Sequence, residues 1–104
     1  MIITKSTPYT KEEIEMNNKT ILESLSMDLL RVALGLHRGS IKMAERFTQE
    51  ALARKAETDK ENLSLYGRQI LAKIERSLNN DDLDKKAEDA LMYSTIIKNY
   101  STLL

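Results

Sequence analysis

The 104-residue chain reads as an all-α domain, an antiparallel bundle of three to four helices. Three observations predict this. Helix-start signatures recur along the chain, apolar residues return in steps of three and four, and strand-like alternation is confined to residues 2–4. With three Gly and one Pro, the chain also lacks the turn residues that a β fold needs. No repeat or low-complexity linker divides it. Its length fits a single domain, 1–104, that buries a modest core without metal or disulfide staples.

Residues 1–9 are an N-terminal arm that holds Pro8. Thr10-Lys-Glu-Glu13 matches a capping box, in which the Thr10 hydroxyl accepts from the Glu13 amide and Glu13 reaches back to the Thr10 amide. Tyr9 and Ile14 are spaced as a hydrophobic staple. Ile14, Ile21, Leu22, Leu25, Leu29, Ala33 and Leu36 then share a face and predict a helix over about 11–38. Ala44, Phe47 and Ala51 carry a second helix over about 41–57, whose stripe drifts at Leu52 and Ala56. Thr58-Asp-Lys-Glu61 repeats the capping-box spacing and starts a third over about 59–79, with Leu63, Tyr66, Ile70, Ile74 and Leu78 on one side. Asn79-Asn80-Asp81-Asp82 is a loop of cap formers, and its acids complement the start of a fourth helix over about 82–103.

The stretch RVALGLHRGSIKMAERF, Arg31 to Phe47, admits two readings. In the first the chain turns. His37 and Arg38 sit in a last helical turn where positive charge suits the dipole, Gly39 takes the left-handed position and Ser40 caps the next helix. In the second the helix runs through. Ser40 has Met43 rather than Glu three residues on, and Lys42 carries the wrong sign for a helix start. A Gly and a Ser inside a helix cost only about 1–1.5 kcal/mol together. A continuous rod from residue 11 to 57 would be about 70 Å long and would almost demand a second chain. The expectation is a long N-terminal helix bent or broken near Gly39, with the rod left open. Gly35 and Gly39, four apart, resemble the small-xxx-small spacing that lets another backbone approach.

Composition excludes several kinds of chemistry. Sixteen basic and sixteen acidic side chains give a net charge of zero, so any attraction to nucleic acid must come from a local patch. The absence of Cys rules out disulfides, thiolate catalysis and Cys-ligated zinc. No apolar run of about 18 residues exists to span a membrane. The opening Met-Ile-Ile-Thr-Lys is too short and weakly apolar for a signal peptide, so the cytoplasm is the expected compartment. Di-metal bundles use two Glu-x-x-His motifs, whereas this chain has one His with Leu34 three residues before it. Asp81-Asp82-Leu83-Asp84 lacks the Gly and distant Glu of a calcium loop, and no Gly-rich phosphate loop is present. A single His without a nucleophile motif makes no triad. No catalytic residue, metal or cofactor is expected.

Two sets of candidate contact residues remain. The first is basic. Arg31, Arg38, Lys42 and Arg46 follow a 7-4-4 spacing, which a continuous helix would gather within about 80°. Such a stripe, with His37 beside it, is a candidate contact for phosphates or nucleic acid, with steep salt dependence. It has no interleaved aromatic platform apart from Phe47. Pairing with Asp28, Glu45 or acids of a neighbouring helix would instead make it a salt-bridged face. Arg31 and His37, with five residues between them, form a pattern similar to the R-x(4–6)-H motif of HEPN-type ribonucleases. Those are small all-α proteins that dimerise so that paired motifs line an RNA cleft. The resemblance implies that Arg31 holds phosphate and His37 transfers protons. The chain departs from it at Val32, where the family is usually polar, and in carrying the motif in its first third.

The second set is apolar. Leu29, Leu30, Val32, Leu34 and Leu36 make the middle of the first helix apolar nearly all round. Leu91, Met92, Tyr93, Ile96 and Leu103 do the same off the main stripe of the last. A helix apolar on all sides is buried on all sides, and a chain this small cannot easily enclose two such segments. The expectation is a homo-oligomer, with Leu30, Leu34, Gly35, Gly39, Met92, Tyr93, Ile96 and Tyr100 at the interface. The expected function is therefore a non-catalytic scaffold, adaptor or regulatory subunit. Its partners are itself and a second protein, with no membrane. The alternative is a nucleic-acid-binding or HEPN-like ribonuclease module built on Arg31 and His37.

Overall fold

The computed structural model describes residues 10–104, with side chains at all of these positions but 11, 12 and 14–16. Four helices account for most of it: α1 (Lys11–His37), α2 (Ile41–Glu57), α3 (Leu65–Leu78) and α4 (Leu83–Ser101). A single 3-10 turn, Lys60–Asn62, lies between α2 and α3, and the described residues contain no strand. The N-terminal arm and the Tyr9–Ile14 staple fall outside the described residues.

The Thr10 capping box is formed. The Glu13 amide donates to Thr10 Oγ1 at 3.1 Å and the Thr10 amide to Glu13 Oε1 at 3.0 Å. These bonds hold the Glu13 carboxyl below its ordinary range. At the other end of α1 the chain turns. Gly39 adopts φ 76°, a left-handed conformation that glycine takes without steric cost. The Ser40 amide donates to the Gly35 carbonyl at 2.8 Å and the Gly39 amide to the Leu36 carbonyl at 3.1 Å. That bond pair is the Schellman arrangement, which satisfies carbonyls left open at a helix end. Ser40 then caps α2 by accepting from the Met43 amide at 3.3 Å. Lys42 does stand in a first turn that has no acid, and the cap and the packing hold that turn regardless.

Gly35 makes the corner tight for a different reason. A Cβ there would stand 2.9 Å from the Ala44 amide nitrogen and 3.2 Å from its Cα. The start of α2 therefore crosses directly over the end of α1, where only a glycine leaves room.

The third helix begins at Leu65, not near residue 59. Thr58 closes α2 instead of opening a new helix, its hydroxyl donating to the Arg54 carbonyl at 3.0 Å. The cause is a contact 41 residues away in sequence. The Asn18 side-chain amide donates to the Asp59 carbonyl at 3.1 Å and its oxygen accepts from the Asp59 amide at 3.0 Å. This side chain, 1% exposed, pairs with the loop as a strand backbone would. The chain makes one short turn, sets Leu63 in the core at 4% exposure, and only then starts α3 with Ser64, which accepts from the Gly67 amide at 3.2 Å. Asn18→Ala would strip both bonds from the loop and is expected to cost about 2 kcal/mol, read as a lowered urea midpoint by circular dichroism. Asp82 caps α4, accepting from the Lys85 amide at 3.1 Å.

In the packed domain α1 lies between α2 and α4, α3 rests on α4, and α2 barely meets α3. A 2.6 Å ion pair from Lys55 to Glu75 crosses that last seam, and the Lys55 ammonium holds the Glu75 carboxyl below its ordinary range. The Gly35–Ala44, Asp28–Arg54 and Asn18–Asp59 contacts step along α1 and α2 in opposite senses, so these helices run antiparallel. Contacts of Tyr100 with Ser64 and of Asp89 with Ser77 say the same of α3 and α4. The core draws on every helix: Leu22, Leu25, Leu29 and Val32 of α1, Ala51 of α2, Leu71 and Ile74 of α3 and Ile97 of α4 are each 1% exposed or less.

Candidate interaction surface

Part of the seam between α1 and α4 is built from serines. The Ser26 hydroxyl donates to the Ser94 carbonyl and the Ser94 hydroxyl to the Ser26 carbonyl, both at 2.9 Å. Each buried hydroxyl thus finds a partner on the facing backbone, as a buried polar group must. Side chains this small let the two helices approach, and larger apolar residues beside them are left on the rim. Met27, Leu30 and Leu34 of α1 are 52%, 38% and 37% exposed, and Leu91 of α4 is 53% exposed. Steps of three and four put the α1 residues in one row. Met27, Leu30 and Leu91 line a groove of about 760 Å³ with Ser26 and Ser94 among its walls. Glu23 and Lys98 border the same groove, and neither makes an ion pair among the described residues.

The eight expected interface residues separate into distinct environments. Leu30 and Leu34 stand on this face. Met92 is exposed but lies about 100° around α4 from Leu91, away from the groove. Tyr93 and Ile96 are half-buried against the core. Tyr100 is only 6% exposed: its hydroxyl accepts from the Ser64 amide at 3.2 Å, lies 3.0 Å from Ser64 Oγ, and its ring covers Gly67. Gly35 lies under Ala44 and Gly39 forms the turn, so both already have a role within one chain. Met27 and Leu91 complete the face. Met27 could have been found as the third member of the Leu30–Leu34 row, whereas Leu91 is placed only by the Ser26–Ser94 seam.

The basic residues do not form one stripe, because the turn at Gly39 puts Arg31 and Arg46 on different helices. Both nevertheless reach Phe47, with guanidinium carbons 5.3 Å and 5.1 Å from the ring centroid. Acids answer them. Arg31 lies 3.8 Å from Asp28, Arg46 3.2 Å from Glu50, and Arg54 sits between Asp28 at 3.9 Å and Glu57 at 3.2 Å. His37, Arg38 and Lys42 are exposed at the α1–α2 corner. Six residues along one helix place His37 about 120° from Arg31, so within one copy the two side chains leave α1 in different directions.

Asp28 is the most constrained of these groups. It is 4% exposed, and among the described residues neither its Oδ2 nor Arg54 Nε has a hydrogen-bond partner. Burial, followed by the charge of Glu50, pushes its carboxyl above the ordinary range against the pull of Arg54 and Arg31. Below the ordinary aspartate value the group is neutral both folded and unfolded. As pH rises past that value the unfolded chain ionises first, so stability is lost until the folded carboxyl ionises too. Asp28→Asn does not titrate. Its denaturation midpoint is therefore expected to gain on that of the native chain as pH rises from about 4, until the folded carboxyl ionises. A gap moving the other way would mean that the two arginines outweigh burial.

Among the described residues no group of three or more His, Asp or Glu is placed to hold a metal ion, and no helix is long and apolar enough to cross a membrane. Comparison with protein-family models, curated proteins and solved structures finds no match to the chain.

Proposed function

We propose that this chain is a non-catalytic helical interaction module that works as a homo-oligomer, with copies meeting through the α1–α4 face. The observation that carries the reading is the exposed apolar row of Met27, Leu30 and Leu34, two of whose members share a groove with Leu91. A second copy is the occupant that suits the face. Glu23 and Lys98 are opposite charges on the same groove, and a two-fold axis brings each against the other's counterpart. Zero net charge adds no long-range repulsion between copies.

Four half-exposed side chains from each copy, at roughly 1 kcal/mol apiece, offer about 8 kcal/mol gross on burial. Association costs at least about 4 kcal/mol of this, so the affinity is about millimolar. The test is light scattering over a concentration series reaching millimolar. A mass that climbs toward twice the chain mass supports the reading, and a constant monomer mass overturns it.

A further inference from the structure

Where α1 turns into α2, the seam between α2 and the α3–α4 hairpin widens into a pocket of about 560 Å³. Leu36, Ile41, Leu52, Leu78 and Leu83 give it an apolar wall, and polar side chains of α2, the loop at residues 79–81 and Lys86 make up the other half of its lining. A concave site of this size that joins an apolar wall to a polar one suits a small amphipathic molecule.

Two polar groups border it without a partner among the described residues. Lys86 is half-buried and makes no ion pair or hydrogen bond among the described residues. Thr48 is 7% exposed, and its hydroxyl has no hydrogen-bond partner. Lys86 has two acids near it on the pocket lining, Glu45 and Asp81, both exposed. Neither pairs with it directly, and solvent screens their action. Burial outweighs their attraction, so the ammonium is held below its ordinary pKa. An anion seated on the apolar wall would meet that ammonium directly, in a charge-assisted hydrogen bond that distant solvated acids do not make.

We propose that this pocket binds a small apolar molecule bearing a carboxylate, with its hydrocarbon against Leu36, Leu52, Leu78 and Leu83 and its carboxylate on Lys86. The site is separate from the α1–α4 face and does not depend on self-association.

Titration with sodium hexanoate, 1-hexanol and hexylammonium chloride, followed by methyl NMR of the full chain, tests it. Hexanoate is expected to give saturable shifts at the methyls of Leu36, Leu52, Leu78 and Leu83. Hexanol should bind about tenfold more weakly. Lys86→Gln should bring hexanoate down to the level of hexanol while leaving the helical circular dichroism and the melting midpoint in place. The proposal is overturned by hexanol or hexylammonium binding as tightly as hexanoate, by shifts that map to Leu30 and Leu91 instead, or by no saturable shift at all.

Discussion

Gly67→Ala is expected to destabilise the domain by about 3 kcal/mol, although Gly→Ala inside a helix ordinarily stabilises by about 0.5–1 kcal/mol. The inversion comes from Tyr100. A Cβ on residue 67 would stand 2.6 Å from Tyr100 Cζ and closer still to its hydroxyl, far inside van der Waals contact. The ring cannot shift without cost. It is buried, its hydroxyl holds the Ser64 amide and side chain, and Tyr66 packs edge-on against it with ring centroids 5.9 Å apart. Either α3 lifts from α4 or Tyr100 leaves the core. The melting midpoint should fall by more than about 10 °C. A double-mutant cycle isolates the cause: in a Tyr100→Ala background, Gly67→Ala should be neutral or stabilising. If Gly67→Ala alone raises the midpoint, the ring does not rest over Gly67.

Leu30→Glu should abolish self-association while sparing the fold. Leu30 is 38% exposed, so a monomer can turn the new carboxylate to water at little expense. At a two-fold interface the same substitution would bury two uncompensated charges and remove two apolar contacts. A loss of roughly 3 kcal/mol corresponds to association weakened at least about a hundredfold. Met92→Glu is the control. Met92 is 46% exposed but lies outside the groove, so the same change of polarity should leave the mass-concentration curve as it was. Equal effects of the two substitutions would point to general greasiness and not to this face.

What could be read from the sequence divides along a physical line. The Thr10 capping box, the end of α1 near Arg38, the span of α2 and the Asp82 cap are local, set by residues within a few positions of one another. The start of α3 is not. Thr58-Asp-Lys-Glu61 has the spacing of a helix start, but Asn18, far off in sequence, claims the Asp59 backbone, and a capping pattern carries no trace of that. The apolar positions identify which residues avoid water without saying which neighbour covers them. Tyr100 and Leu30 are both read from the sequence as interface residues, yet Tyr100 is buried over Gly67 inside the chain and Leu30 is left at a rim. The basic residues depended on helix continuity, and once the chain turned at Gly39 their grouping became a matter of tertiary contact around Phe47.

The thin seam between α2 and α3 means that stability is unevenly shared. α2 is fastened to α1 along its length but to the hairpin by little beyond Lys55 and Glu75, so its hold on the domain rests mainly on α1. Amide protons of α2 should then exchange with deuterium through a partial opening of lower free energy than global unfolding, ahead of those in α1 and α4. A molecule that bridged α2 and the hairpin across the recess at this seam would oppose that opening and slow the exchange.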